Sequence, residues 1–457
     1  MTIPNKIFSQ NSLVYLLVVF FIITYQYHWL QSIFQISHPE EVSLIILLLT
    51  AILWISEIIP LYITSLAVLF LQIVWLLPVL ESNNISAGKE DFLISFFGDI
   101  TLLFMGGFVL AALLNKYGIS RMIARNIIKR TSTSPSRVLF SIILVSSLLS
   151  MWMSNTATAA MMFAILAPIV MSLPEGSNFS KALALAIPFA CNLGGIGTPI
   201  GTPPNAIAME YLQQMGFNIS FALWMVIAVP LMIVLLILLW RLILKIYPPA
   251  VDHVELEIES IHEFRNEHYI VTGIFLITVI GWLTSGYTGI SPGTVGLSVV
   301  LMAFGSQLLL TNDFRNISWD ILFMLGGGLC LGAGIKLSGL ANSIASLIPA
   351  ASSLWFVLIL LILIAAVMTS FMSNTATANL LIPVAISLPH GEIILVIAIS
   401  LMCSSSMVLP ISTPPNAIAF GSGLINSGEM MKSGTMITII SLIGILLCCM
   451  FYVPLFF

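Results

Sequence analysis

Ser154-Asn155-Thr156 and, 219 residues further on, Ser373-Asn374-Thr375 are the positions of this chain best equipped for chemistry. Each triplet interrupts an apolar stretch near its middle, the first in 137–173 and the second in 355–389. Serine, asparagine and threonine cap helix starts, where backbone N–H groups lack partners. A half-helix beginning at each triplet aims the positive end of its dipole at the tip, and its N–H groups and hydroxyls form an anion site there. The asparagine carbonyl and neighbouring backbone carbonyls are hard oxygen donors suited to an alkali cation. One triplet can therefore touch an anion and a sodium ion together. A single triplet would do no more than cap and turn a helix; two copies at matching places argue for a site. Ser150 and Thr369 stand four residues ahead of each triplet's serine, on the same helical face. Their hydroxyls are either further cation ligands or ordinary bonds to the preceding turn.

A second pair of motifs accompanies the first. Thr202-Pro203-Pro204-Asn205-Ala206-Ile207-Ala208 recurs as Thr413-Pro414-Pro415-Asn416-Ala417-Ile418-Ala419, 211 residues on. One follows Gly194-Gly195-Ile196-Gly197-Thr198-Pro199-Ile200-Gly201; the other follows Ser404, Ser405, Ser406 and Ser412. Proline lacks the N–H donor and clashes with the preceding turn, so each apolar span must unwind here. The freed carbonyls need partners, either a cation or a neighbouring helix that fills a proline kink. No lysine or arginine stands beside any of the four motifs. A dianion held by hydroxyls and N–H groups alone keeps uncompensated charge in a low dielectric, which is costly. Bound sodium would offset that charge and make anion binding depend on sodium.

The elements that position these residues are membrane helices. The chain of 457 residues is 59% hydrophobic and 7% charged, with a mean hydropathy of +1.09, whereas a soluble domain carries about a quarter charged residues. The net charge of -4, with no basic tail, gives no reason to expect a nucleic-acid partner. Cys191, Cys330, Cys403, Cys448 and Cys449 all lie in apolar runs and imply no disulfide framework. The six histidines are scattered without a metal-ligand spacing. No intramembrane aspartate pair is visible, which sets an enzyme reading aside.

A spanning helix needs about 20 mostly apolar residues. That rule places spans near 12–35, 41–60, 61–80, 92–115, 181–212, 221–247, 268–286, 290–310, 319–345, 392–422 and 433–456. The run from Ser12 through Trp29 has no cleavage site, which predicts a retained first helix. The halves of 137–173 and 355–389 are too short to cross, so each stretch is expected to be a re-entrant hairpin. Lys116, Arg121, Arg125, Lys129, Arg130 and Arg137 cluster before the first hairpin and place that side in the cytoplasm. Threading the spans then puts every other lysine and arginine inside except Lys89 and Lys336. The N-terminus is expected inside and the C-terminus outside. The first hairpin opens from the cytoplasm, the second from outside, and the charged stretch 248–268 is a cytoplasmic linker.

Asp99 with Gly106-Gly107 also recurs, as Asp320 with Gly327-Gly328, 221 residues on. Three matches in one order with similar offsets define an internal repeat, and the threading gives its copies opposite topology. Inverted repeats with broken helices place the substrate at the repeat interface near the midplane and favour alternating access over a channel. The small-residue spacings Gly328/Gly332 and Gly107/Ala111 are expected to serve packing within the chain.

Twin Ser-Asn-Thr tips with twin Thr-Pro-Pro segments resemble the divalent anion:sodium symporter family of dicarboxylate and citrate transporters, along nearly the whole chain. The resemblance implies a homodimer in the inner (plasma) membrane, with a scaffold and a transport domain that moves as an elevator. It assigns 1–91, 221–318 and 433–457 to the scaffold, and 92–220 and 319–432 to the two transport repeats. It implies that Ser154, Asn155, Thr156 and Thr202 meet the substrate from one side, and Ser373, Asn374, Thr375, Thr413 and Pro414 from the other. One sodium site would use Ser150, Ser154, Asn155 and the Gly201 carbonyl; the second would use Thr369, Ser373, Asn374 and the Ser412 carbonyl. The expected activity is sodium-coupled symport of succinate, malate or fumarate. The family's alternatives are sodium-independent exchange and carriage of sulfate or citrate.

Overall fold

The computed structural model of the chain describes residues 24–174, 176–217, 219–254, 265–346, 353–388 and 392–457. The first half of the expected first span 12–35, residues 12–23, and the centre of the linker, 255–264, lie outside the described residues. The architecture is helical, with no strand among the described residues.

After a short helix, Trp29–Phe34, the chain enters α1, His38–Ser56. Its start is fixed by a capping box in which the Ser37 N–H donates to the Glu40 carboxylate, and by a proline in the first turn. Helix α2, Leu61–Leu71, continues through a π-helical turn at Gln72–Leu76 to Ser82. The first repeat then runs through α3 (Asp99–Lys116), α4 (Ile119–Lys129), α5 (Pro135–Ser150), α6 (Asn155–Met171), α7 (Asn178–Gly195) and α8 (Pro203–Gln214), followed by α9 (Phe221–Ile246). The second half begins with α10 (Asn266–Thr288) and α11 (Pro292–Gly305). Its repeat runs through α12 (Trp319–Ser338), α13 (Leu340–Ser346), α14 (Leu354–Phe371), α15 (Asn374–Ala385), α16 (Glu392–Ser405) and α17 (Pro414–Gly421), before α18 (Ser427–Leu447). Element for element, the second half matches the first.

Eight helices among the described residues are long and apolar enough to cross a membrane. The expected spans 181–212 and 392–422 are each broken, into α7 with α8 and α16 with α17, where glycine or serine meets Pro-Pro. The span 290–310 becomes the 14-residue α11. Both hairpins form, but one expectation about them fails. Helix α14 has 18 residues with no glycine or proline to interrupt it, and is itself long enough to cross. Its hairpin character comes from α15 doubling back against it.

The two halves interlock. Helix α3 of the first repeat lies along α11 of the second scaffold pair, and α12 of the second repeat lies along α2 of the first. The contacts are backbone-close: a Cβ on Gly106 would sit 2.3 Å from the Gly296 Cα, and one on Gly327 would sit 2.2 Å from the Ser65 Cβ. Asp99 completes the first crossing. Its carboxylate accepts from the Ser291 hydroxyl and, at 3.1 Å, from the Gly293 N–H, capping α11 from another helix. Gly289-Ile290-Ser291-Pro292-Gly293 has the spacing of a nucleophile elbow, yet its serine is spent as this cap, accepting from the Thr294 N–H. Gly328 and Gly332 also pack within the chain, against the Asn379 side chain and the Tyr211 hydroxyl.

Contacts between distant loops agree with the alternate threading. Lys116 pairs with Asp313 at 2.7 Å, the Trp240 indole donates to the Ser136 carbonyl, and the Val254 N–H donates to Thr133. All of these segments share one face in the threading. The Lys116 hydrogen bond holds the Asp313 carboxyl below its usual range. At the other face the Ser343 hydroxyl donates to Glu40, and Tyr452 donates to the Val226 carbonyl.

Gly106→Ala should cost about 1–3 kcal/mol by overpacking, read as a lower melting temperature of the purified protein. Gly107→Ala should be close to neutral, because its Cβ would meet Ile200 at 3.4 Å, an ordinary contact. Equal losses for the two would refute the backbone crossing.

Candidate functional site

Each Ser-Asn-Thr triplet starts a helix as its residue types predict. Ser154 is the N-cap of α6 and accepts from the Ala157 N–H at 3.2 Å. Ser373 is the N-cap of α15 and accepts from the Ala376 N–H at 3.1 Å. The hydroxyls ahead of the triplets do not serve the preceding turn of their own helices. Ser150 donates to Asn155 Oδ1 at 2.6 Å, and Thr369 donates to Asn374 Oδ1 at 2.5 Å and to the Cys403 carbonyl at 3.1 Å. Both hydroxyls are fully buried, while the two asparagines are half-buried. Each tip thus holds two oxygens in contact with one proton between them. Turning the hydroxyl hydrogen away would leave a pair of oxygen donors facing any cation that arrives.

Behind each tip lies an unwound segment. Thr202 and Thr413 hold extended backbone and cap α8 and α17, with prolines at the first helical positions. Thr413 accepts from the Asn416 N–H at 3.4 Å. The asparagines of these motifs carry a role that the spacing alone did not disclose. Asn205 Nδ2 donates to the carbonyls of Gly195 (3.0 Å), Ile196 (3.3 Å) and Thr198 (2.8 Å). Asn416 Nδ2 donates to those of Met407 (3.1 Å) and Leu409 (3.0 Å) and to the Ser412 hydroxyl (3.3 Å). Ile196 and Thr198 correspond to Met407 and Leu409 at the motif's own offset of 211 residues. The same two carbonyls are therefore served in each copy. Of the two expected partners for the freed carbonyls, a neighbouring helix serves Ile196 through the Trp224 indole, and to this the structure adds a partner not expected, an amide in the following helix.

The first tip and its unwound loop are in contact. Thr198 donates to the Met151 carbonyl at 2.5 Å, and Trp224 donates to Ile196 at 3.1 Å. A Cβ on Gly195 would meet Asn155 Oδ1 at 2.8 Å and the Gly201 carbonyl at 3.1 Å. Ser150, Asn155 and Gly201 thus come together around one glycine. In the second copy Ser370 and Ser406 share a bond at 3.2 Å, and Ser412 donates to the Leu409 carbonyl.

The repeats meet through these same residues. The Ser404 hydroxyl donates to Thr202 at 3.3 Å, Asn192 to Thr413 at 3.1 Å, and Ser400 to Asn205 Oδ1 at 3.1 Å. Helix α6 packs on α17 and α8 on α15, so the four helices that begin at the four motifs pair across the repeats. Asn192 Oδ1 and Asn416 Oδ1 are buried acceptors without a donor. Buried carbonyl oxygens of that kind favour a cation nearby. Asn192 and Ser400 belong to no repeated motif, and no sequence signal singled them out.

The two copies differ in exposure. Thr156 and Pro414 are exposed, whereas Thr375 is buried. Beside Thr375, Met372 and Ala376 join a core with Val42, Val68 and Leu76 of α1 and α2 and their π-helical turn. At the first tip Trp152 stacks on Phe221 and Trp282, with ring centroids 6.3 and 6.5 Å apart. A cavity of 190 Å³ lined by Tyr211, Lys336 and Ser387 lies at the far ends of α8 and α15, away from the tips.

A family model described as citrate transporter matches residues 51–398. The sodium-dependent dicarboxylate transporter SdcS of Staphylococcus saprophyticus is 31% identical over 98% of this chain and 93% of its own length. SdcS of Staphylococcus aureus is 30% identical over 91% of this chain and 88% of its own. This chain belongs to the divalent anion:sodium symporter family. Membership makes it a multi-pass membrane transporter, not an enzyme. The fold is also similar to a solved structure of MtrF from Neisseria gonorrhoeae, described among antimetabolite efflux pumps. That likeness has a TM-score of 0.56 at 13% identity, covering 91% of this chain and 95% of the other.

Asn205→Ala strips the amide donor from the Gly195 carbonyl and Asn416→Ala strips it from the Met407 carbonyl, at about 1–3 kcal/mol for each buried group left unsatisfied. Both variants should melt several degrees lower than the parent protein. A melting temperature equal to the parent's would mean that water or another donor replaces the amide.

Proposed function

We propose that this protein carries C4-dicarboxylates (succinate, malate and fumarate) into the cell together with sodium. The observation that carries this reading is the duplicated pair Ser150/Asn155 and Thr369/Asn374. Each pair sets two touching oxygens at the capped N-terminus of a half-helix. The names of the staphylococcal relatives, sodium-dependent dicarboxylate transporters, support the same ion and a dicarboxylate as substrate. Sodium at each pair, with Ser154 and the Gly201 carbonyl in one site and Ser373 and the Ser412 carbonyl in the other, supplies positive charge where no lysine or arginine stands. The substrate's carboxylates then lie against Ser154, Asn155, Thr156 and Thr202 on one side, and Ser373, Asn374, Thr375, Thr413 and Pro414 on the other. The helix N-termini contribute their free N–H groups.

The transporter works as an elevator. The hairpins and the broken helices that follow them travel as a transport domain past a scaffold that includes α3 and α12, because the backbone-close crossings tie those two helices to α11 and α2 and correct the expected boundaries at 92 and 319. Two copies assemble as a homodimer through their scaffolds. The stack of Trp152 on Phe221 and Trp282 favours that division, since flat rings without hydrogen bonds between them can slide. The protein resides in the plasma membrane, and the distribution of lysine and arginine supports an N-terminus inside and a C-terminus outside.

Radiolabelled succinate should enter proteoliposomes under an inward sodium gradient and not under an equal potassium gradient. Sodium-independent uptake that needs internal dicarboxylate would mean exchange instead. Failure with succinate alongside uptake of citrate or sulfate would move the substrate within the family. Asn155→Ala and Asn374→Ala should each abolish sodium-driven uptake in protein that still folds. Thr156→Ala should weaken succinate more than sodium, and the opposite ranking would reverse the two roles. A cysteine placed within 116–137 should react with an impermeant maleimide only from the cytoplasmic side.

A further inference from the structure

Spacing alone gives no metal motif for His28, His38 and Glu41, yet folding brings them together. His28 Nδ1 lies 2.9 Å and His38 Nδ1 3.7 Å from the same oxygen, Glu41 Oε2. All three ligand atoms fall within 4.8 Å of one another. For a tetrahedral zinc ion with bonds of about 2.0–2.1 Å, neighbouring ligand atoms stand about 3.3 Å apart. The triad therefore needs only small side-chain movements to close on such an ion.

Glu41 supplies a second, independent observation. Its side chain is 0% exposed, in the first turn of α1, and its Oε1 has no hydrogen-bond partner among the described residues. A buried carboxylate with one oxygen unsatisfied is costly unless a cation compensates it. The ring nitrogens are held for that purpose. Tyr25 stacks on His38 with centroids 5.8 Å apart, meets His28 edge-on at 5.9 Å, and is itself braced by Trp75 at 4.9 Å. Gln31 Nε2 donates to Glu41 Oε2 at 2.9 Å and lies 3.1 Å from His38 Nδ1, at the centre of the cluster. A half-turn of that amide presents its oxygen in place of its nitrogen. The His28 side chain is 53% exposed, so an ion can reach the site from the surface.

The geometry points to a divalent transition-metal site of the zinc type, formed by His28 Nδ1, His38 Nδ1 and Glu41 with Gln31 as the fourth neighbour. Two imidazoles select zinc-like ions over calcium or magnesium, which prefer all-oxygen shells. Binding displaces the proton that His28 shares with Glu41 and ties the segment Tyr25–Phe34 to α1. The site shares no residue with the hairpin tips and does not depend on the transport reading.

The full-length protein in detergent micelles would be titrated calorimetrically with zinc chloride at pH 7.5, and with cobalt chloride followed by visible absorption. One zinc per chain is expected, with affinity at least tenfold weaker in His28→Ala and in His38→Ala. Cobalt should give the intense visible bands of a four-coordinate ion, lost in His38→Ala. Saturating zinc should raise the melting temperature of the parent protein and not of these variants. Glu41→Gln tests the carboxylate, while His28→Ala alters an exposed side chain and keeps the test interpretable if the buried variant misfolds. The proposal is overturned by no zinc binding in the parent protein, by binding in both histidine variants as tight as in the parent, or by calcium binding as tightly as zinc.

Discussion

Backbone carbonyls inside a membrane must find donors, and this molecule is organised around two places where they have been set free. Unwinding 195–202 and 406–413 exposes polar backbone at the level where the repeats meet. Asn205 and Asn416 gather the loosened carbonyls, and Ser400 binds the other end of the Asn205 amide from the opposite repeat. The broken helices are thereby stiff enough to hold Thr202 and Thr413 in place. The hairpin tips then rest on that framework, the first through Thr198 and Met151, the second through Ser370 and Ser406. A looser loop would fill with water, and the asparagine carbonyls at the tips would lose the dry setting in which an alkali cation and an anion attract strongly.

Much of this was legible in the chain. Residue type alone indicated that Ser154 and Ser373 would cap, since their neighbours on the C-terminal side read as helix. Pro-Pro after glycine or serine was a sound signal for broken spans. What stayed hidden depended on distance in space. The bonds of Asn205 to carbonyls 7 to 10 residues earlier require a loop that folds back on itself, and no spacing rule encodes that. The role of Asp99 as a cap became visible only once α11 was in place beside it. His28, His38 and Glu41 were passed over because the nitrogens converge through the left-handed backbone at His28 and Gln35, not through a helical or strand register. The length of α14 was misjudged because its apolar run has no internal breaker and was measured from a triplet taken as the midpoint.

The two copies are alike in bonding and unlike in surroundings. Thr156 stands open while Thr375 is packed with Met372 and Ala376 against the first scaffold pair. Equivalent residues in an inverted repeat occupy mirrored positions only if the molecule sits midway between its two faces. The second tip is sealed by aliphatic packing against α1 and α2, whereas the first rests on a stack of aromatic rings that leaves Thr156 exposed. The hydrogen bonds common to both copies belong to the site itself; the contacts that differ belong to the conformation.

The crossing of α3 with α11 and of α12 with α2 bears on how the chain is made. When the first repeat leaves the ribosome, the Gly106 face of α3 has no partner, because Gly296 lies 190 residues further along. Contacts between segments so far apart in sequence form late. The glycine face must wait in lipid until the second scaffold pair is inserted. The same geometry would be satisfied by two separate half-length chains inserted in opposite orientations, each lending its scaffold pair to the other's repeat. The present molecule is then that antiparallel pair joined by one linker. Fusion replaces a meeting of two chains, which depends on their concentration, with a closure within one chain.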